Sequence, residues 1–279
     1  MPKFDVERSI EIDASPEQVF DVVSDFKTWT TWSPWLCAEP DAKVTVADDS
    51  ASVGSTYRWS GEVVGAGEVE HKNLERGRLI NEEMRILKPF KSRSEVGFQL
   101  ESSGDVCRLT WSLHGSMPWF LFWMIPKMQN FIGMDYVRGL KMLKDLIESG
   151  SVPSTTISHG IESVGPIRMA GIRTSCNLDD IAQKMQAAFC EVGEKFEAAG
   201  IQKGCEGITV HHSCDFKTQT FDCTSGFVLP DSVTSVPDGL STWSTEQVQA
   251  LRIEHIGHYK HLGNAWSAAH QIARYRKHK

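Results

Sequence analysis

The stretch that decides the fold runs from Glu7 to Trp35, ERSIEIDASPEQVFDVVSDFKTWTTWSPW. It opens on a strand-like pattern, Arg8–Ile12, and turns at Asp13-Ala14-Ser15-Pro16 into a helix start. Ser15 is placed to cap, Pro16 takes the first helical position, and Gln18 stands three residues after the cap, so a capping box is expected. Val19, Phe20, Val22 and Val23 supply the helix's apolar residues. A second short segment, around Phe26–Trp32, is broken by Ser33-Pro34.

Outward from this stretch the period changes to two. Gly54–Val64 alternates Tyr57, Trp59, Gly61 and Val63 against Arg58, Ser60 and Glu62. Leu79–Leu87, Ser94–Glu101 and Cys107–His114 alternate in the same way, and strands near Lys43–Ala47 and Glu68–Leu74 bring the run to six. One apolar face and one wet face is the pattern of an antiparallel sheet. A long helix over about Met128–Ser149 closes the region, with Phe131, Met134, Val137, Leu140, Met142, Leu143 and Leu146 expected on its apolar face. A curved sheet gripping one long helix leaves a cavity between them.

The D-A-S-P-E-x-V-F run at Asp13–Phe20, D-F-x-x-W at Asp25–Trp29, W-S-P-W at Trp32–Trp35, the strand run and the closing helix together resemble the START-like superfamily of polyketide cyclases and lipid-binding proteins. The resemblance covers about residues 5–149. It implies an α+β helix-grip domain, 1–150, built around a ligand cavity. Carriers, cyclases, hydroxylase domains and chaperone activators share this superfold, so it implies no single activity.

The alternation places Tyr57, Trp59, Val69, His71, Met84, Val96, Phe98, Leu109 and Trp111 on the cavity face. Glu82 falls there too, between Ile80 and Met84, and a carboxylate on an apolar face must find a partner or keep its proton. His71 is its nearest partner by register. The two are either a structural pair, with a bulge that turns Glu82 outward as a variant of that reading, or a polar anchor or acid/base pair in an aromatic pocket. Glu82 and His71 are the catalytic candidates; with Trp35, Tyr57, Trp59, Met84, Phe98 and Trp111 they are also the ligand-binding candidates. Trp29, Trp32 and Trp35 either pack in the core or line a cavity mouth. Met117–Ile125, MPWFLFWMI, is expected to pack under the sheet, with a gate or a membrane-touching role as the alternative.

Ser149–His159 is polar and rich in Ser, Pro and Gly, and reads as a linker. Beyond it, Ile161–Ser175 is strand-like, Asn177 is a good helix cap followed by Asp179 and Asp180, and a helical pattern runs to Gly200. Strands follow near Gly207–His212 and Thr220–Val228. Aligning Leu178 with Leu262 repeats the pattern: Ile167 falls on Leu251, Met169 on Ile253 and Ile172 on Ile256. The second helix would show Leu262, Trp266, Ala269 and Ala273 on its face. The segment QALRIEHIGHYKHLGNAWSAAHQIARY resembles the gyrase-inhibitor-like, or bacterial regulator effector-binding, family, with His258 in place of the usual Pro. This implies a duplicated β-α-β-β domain over 160–279, with Tyr259 and Trp266 as ligand-binding positions. With the sequence ending at Lys279, the second repeat is expected to be truncated, leaving an open pocket and an edge for self-association.

Composition narrows the partners. Residues 1–150 carry 17 basic and 23 acidic groups, and the whole chain is net −7, which argues against direct binding of nucleic acid. The seven cysteines, Cys205 among them, form no C-x-x-C pair and read as reduced thiols of a cytoplasmic protein. The N-terminus has no signal-peptide core, and the longest apolar run is too short to span a bilayer, so no stable membrane insertion is expected. His255 and His258 would point to opposite faces of a strand, so no metal site is expected, and no cofactor motif occurs. These readings imply a protein that binds or senses small hydrophobic or amphipathic molecules through two cavity-forming domains. The alternative is a cyclase- or hydrolase-type enzyme acting on an aromatic or polyketide-like substrate in the N-terminal cavity.

Overall fold

The computed structural model describes residues 2–104, 106–177, 180–202, 206–215, 218 and 220–277. Leu178, Asp179, Cys205 and Lys279 lie outside them. Contacts divide the chain into two compact units, one of residues 1–160 with 251–279, the other of residues 161–250.

In the first unit, β1 (Lys3–Ile12) leads into α1 (Pro16–Ser24) and the single-turn α2 (Trp29–Trp32). The capping box forms: Ser15 Oγ accepts from the Gln18 amide at 3.3 Å, and Gln18 Oε1 accepts from the Ser15 amide at 3.0 Å. The strands β2 (Lys43–Val46), β3 (Thr56–Ser60), β4 (Ala66–Glu75), β5 (Leu79–Lys88), β6 (Ser92–Ser103) and β7 (Val106–Ser116) then complete a seven-stranded antiparallel sheet in the order β1-β7-β6-β5-β4-β3-β2. The helix α3 (Ile125–Ser149) packs against it.

Helix α3 buries Leu140, Met142 and Leu143 of its expected face, but Phe131 and Val137 are exposed, and Gly133, Tyr136 and Gly139 are buried as well. The helix meets the sheet along its smallest residues: a Cβ on Gly139 would stand 2.9 Å from the Trp111 ring. Met117–Ile125 also departs from expectation. It forms a 3₁₀ turn, Trp119–Met124, whose large side chains face solvent rather than the underside of the sheet.

The C-terminal segment belongs to the first unit, so 160–279 is not one contiguous body. A second stripe on α3 explains this. Asp145 accepts from Lys260 Nζ at 2.6 Å and His261 Nε2 at 2.7 Å. Arg138 donates to Asn264 Oδ1 at 2.8 Å and Ser267 Oγ at 2.9 Å. Residues 138, 142 and 145 share a helix side by their spacing, and Asn264 Nδ2 also reaches Met142 Sδ. The helix α5 (Gly263–Tyr275) therefore buries Asn264, Ala265, Ala268 and Ile272, and the expected face through Trp266 is not the packed one.

The chain passes out of the first unit along β8 (Ser154–Val164) and returns along β13 (Val248–Gly257), and these two strands pair. The expected linker is thus a strand from Ser154 onward; its Thr155, Thr156 and Ile157 are β-branched residues suited to one. In the second unit, β9 (Ile167–Asn177), α4 (Ile181–Ala198), β10 (Gly207–Asp215), β11 (Thr220–Val228) and β12 (Ser241–Thr245) form a sheet in the order β10-β11-β9-β12 with α4 packed on β9 and β11. Asn177 ends β9, and the helix is preceded by Asp180 instead. The core is small, centred on Ala170, Val192, Phe196 and Leu229. One β-α-β-β module is formed. The strand and helix expected to begin a second copy go elsewhere, β13 to β8, and α5 to the turn at Leu36–Ala38 and to Arg138 and Met142 of α3.

Candidate functional site

Strand register assembles the site. His71 on β4 stands directly across from Glu82 on β5, Glu82 across from Val96 on β6, Ile80 across from Phe98, and Phe98 across from Trp111 on β7. Tyr57 on β3 stands across from Val69 on β4. Directly paired residues share a sheet face, so one face carries all of these side chains, with α3 on it. The sheet has a bulge at His71/Asn73, just past the His71–Glu82 pair; Glu82 remains buried on the inner face.

The space between sheet and helix, expected as a cavity, is occupied by aromatic rings. Phe98 stacks on Trp111 at 5.2 Å between centroids, and Tyr136 stacks on Trp111 at 3.8 Å and 9°. Trp32 meets Trp111 edge-on at 5.5 Å, and Trp35 contacts both Trp111 and Tyr136. Phe26 stacks on the His71 imidazole at 3.9 Å and 4°. Such pairs add to plain area burial. Trp35, Trp59 and Met84 are only partly buried and form the edge of the cluster. Trp35 is held there by Nε1 donating to Asp135 Oδ2 at 3.0 Å, and Asp135 is itself paired with Arg138.

The polar groups inside this cluster are poorly satisfied. His71 Nε2 donates to the Ser24 carbonyl at the end of α1, 2.8 Å away, so that nitrogen carries a hydrogen and Nδ1 faces Glu82. Nδ1 and Glu82 Oε1 approach to 3.1 Å with both side chains fully buried. Neither His71 Nδ1 nor either Glu82 oxygen has a hydrogen-bond partner among the described residues, and the same holds for the buried Tyr57 hydroxyl and Trp111 Nε1. Each such group costs about 1–3 kcal/mol. Burial pushes the Glu82 carboxyl up, only partly opposed by His71, so it tends to keep its proton. Burial likewise pushes the Tyr57 phenol up to about 12, which leaves it a neutral donor at ordinary pH. A protonated carboxyl beside an imidazole nitrogen can meet either a donor or an acceptor on a bound molecule.

Of the residues singled out from the sequence, Trp35, Tyr57, Trp59, His71, Glu82, Met84, Phe98 and Trp111 come together on this face. Tyr259 and Trp266 do not join them; both are exposed, on the 3₁₀ turn Tyr259–His261 and on α5. Sequence reading missed Tyr136, Phe26 and the Ser24 carbonyl. The signal for Tyr136 was available in its spacing to Leu140 and Leu143, four and seven residues on. His255, His258 and His261 are each engaged separately: His255 Nε2 donates to the His258 carbonyl, His258 Nδ1 accepts from the Lys260 amide, and His261 is bound to Asp145. In the second unit a shallow cleft is lined by Arg168, Leu229, Val233, Val236 and Trp243, with the Arg168 guanidinium hydrogen-bonded to the carbonyls of Pro230 and Val233.

A family model described as polyketide cyclase / dehydrase and lipid transport matches residues 3–148. Among solved structures, the Aha1 dimer from Colwellia psychrerythraea is similar at 18% identity and a TM-score of 0.39, over 52% of this chain and 97% of that one. Protein CV1439 from Chromobacterium violaceum is similar at 19% identity and 0.40, over 52% and 98%. CalU16 from Micromonospora echinospora is similar at 14% identity and 0.37, over 53% and 87%. No curated protein matches the chain. Among the described residues, no helix is long and apolar enough to cross a membrane.

Proposed function

The chain belongs, through residues 3–148, to the polyketide cyclase / dehydrase and lipid transport family, and from that premise we propose that its first unit binds a small, flat, amphipathic molecule between the sheet and α3. The molecule's apolar body takes the place of the partly buried rings at the cluster edge, Trp35 and Trp59, and meets the edge of Trp111. Its polar group meets Glu82, His71 and Tyr57. The observation that carries this reading is the set of buried, unpartnered polar atoms on Tyr57, His71, Glu82 and Trp111. An aromatic core kept for stability alone gains nothing from them.

A second reading is a cyclase- or hydrolase-type enzyme acting on an aromatic or polyketide-like substrate. It is favoured by the raised Glu82 carboxyl against His71, a combination suited to general acid–base work. Binding and turnover measured side by side separate the two. Wild-type and Glu82→Gln chains would be titrated with an apolar fluorescent probe and incubated with aromatic polyketide-like compounds. Binding weakened by the substitution, with no turnover in either chain, supports the carrier. Turnover in the wild type that Glu82→Gln abolishes while binding persists supports the enzyme. Failure of the wild type to bind any such compound overturns both.

For the second unit, the β-α-β-β order of β9, α4, β10 and β11 supports a gyrase-inhibitor-like, effector-binding role; Tyr259 and Trp266, exposed on the first unit, are open, weak contact positions of their own. The outer strands β10 and β12 offer edges for self-association. A cytoplasmic location fits the free cysteines among the described residues, Cys37, Cys107, Cys176, Cys190, Cys214 and Cys223.

A further inference from the structure

A dense set of exposed aromatic groups of the first unit lies at one end of its sheet. Trp119 is 75% exposed and Trp123 67%, with Phe120 and Phe122 both 59% exposed between them, in a turn bracketed by Pro118 and Pro126. Phe90, 80% exposed, tips the hairpin that joins β5 to β6. Register brings the two segments to the same end. Ile86 pairs with Ser92 to close the hairpin, Ser94 pairs with Gly115, and Lys3 pairs with Ser116, three residues before the aromatic turn begins at Trp119. A run of exposed rings this dense is not ordinary surface on a folded domain.

Charge says what covers it. Residues 87–93 and 117–127 contain Lys88, Lys91, Arg93 and Lys127 and no acidic residue, within a chain of net charge −7. Arg93 is used in an ion pair with Glu83, while Lys88, Lys91 and Lys127 stand on the surface, Lys127 lying 5.8 Å over the Phe131 ring. We propose that this aromatic and basic end docks peripherally on an anionic lipid bilayer, with the rings of Trp119, Trp123 and Phe90 at headgroup depth and the lysines against lipid phosphates and carboxylates. Tryptophan and phenylalanine beside lysine is the composition that lies in a membrane interface. A second copy of this chain is the poorer occupant, because a two-fold contact would set one basic patch against the same patch. Docking of this kind does not depend on what the aromatic interior binds.

The test is cosedimentation of the full chain with phosphatidylcholine vesicles, with and without about one third phosphatidylserine. Two variants accompany it: Trp119→Ser with Trp123→Ser, and Lys88→Glu with Lys91→Glu. All four positions are exposed, so either variant decides the matter should the other fail to fold. The expected result is binding at least about tenfold tighter to the anionic vesicles, weakened by salt, and reduced about tenfold or more in each folded variant. No binding to either vesicle, equal binding with and without phosphatidylserine, or full retention in the variants would overturn it. So would wild-type self-association by light scattering, lost on Trp119→Ser with Trp123→Ser, in a chain that ignores vesicles.

Discussion

Two aromatic clusters in the first unit are built from the same side-chain types and live in opposite surroundings. Trp32, Phe98, Trp111 and Tyr136 are enclosed by sheet and α3, while Trp119, Phe120, Phe122 and Trp123 face solvent a few residues before that helix begins. What separates them is attachment. Phe98 and Trp111 sit on paired strands, which fixes the face they present, and Trp32 and Tyr136 come onto that face from α2 and α3. The outer rings sit on a short 3₁₀ turn after Pro118, and nothing in its local geometry turns them toward the core. The comparison teaches that aromatic content alone marks neither core nor surface. The inner set holds the fold and encloses polar atoms the fold does not need; the outer set is free for contact at no cost to stability.

The largest effect expected from this contrast is at Trp111, whose ring touches Phe98, Tyr136, Trp32 and Trp35. Trp111→Ala should cost about 3–5 kcal/mol in urea unfolding of the full chain. A loss below about 1 kcal/mol would mean the inner rings are not the packed core described here.

Glu82 sharpens the contrast from the polar side. Its folded-state carboxyl is raised above the ordinary 4.5 by burial. The folded chain therefore holds this proton more tightly than the unfolded chain, and the stability it contributes below about pH 4.5 is lost as pH rises toward the folded value. Glu82→Gln should flatten that decline. At neutral pH the variant should equal or exceed the wild type, by up to about 1–3 kcal/mol. Thermal unfolding across pH 4–8 (roughly the span in which a raised carboxyl titrates) checks this; a variant less stable at neutral than at acid pH, with the wild-type slope intact, would contradict it.

Much of this was legible beforehand. Period two located the strands and put Tyr57, His71, Glu82, Phe98 and Trp111 on one face, because a strand has only two faces and the turns hold the register. The His71–Glu82 pairing followed from counting along β4 and β5. Helices were read less well. The apolar face of α3 was right at Leu140, Met142 and Leu143, wrong at Phe131 and Val137, and missed Tyr136, since hydrophobicity ranks tyrosine low. The face of α5 was drawn through Trp266, because its real partners, Arg138 and Ser154, lie more than a hundred residues away and leave no mark on local periodicity. Met117–Ile125 was read as packed for the same reason: apolar content is a property of the segment, burial a property of its neighbours. Ser154–His159 looked like a linker because serine and proline around it hid the alternation of a strand that pairs only with distant β13.

Smaller effects test the edges of the comparison. Tyr57→Phe removes a buried hydroxyl that has no partner among the described residues, so stability should hold or rise by up to about 1 kcal/mol, while affinity for a polar-headed probe should fall. A clear destabilisation on removing that hydroxyl would show that it is satisfied after all. At the outer cluster, Trp119→Ala and Trp123→Ala should each change stability by no more than about 0.5 kcal/mol. A loss of 2 kcal/mol or so at either position, a core-like value, would merge the two clusters into one structural set.

The most direct measurement is native mass spectrometry of the freshly purified full chain, run on wild type and Glu82→Gln in parallel. The expected result is a wild-type population carrying a small amphipathic molecule, released on gentle activation, with that population much reduced in a folded Glu82→Gln chain. An amphipathic compound retained equally by both chains, or a wild type that remains bare even after incubation with a panel of aromatic amphiphiles, would contradict a binding role for the aromatic interior and its Glu82–His71 pair.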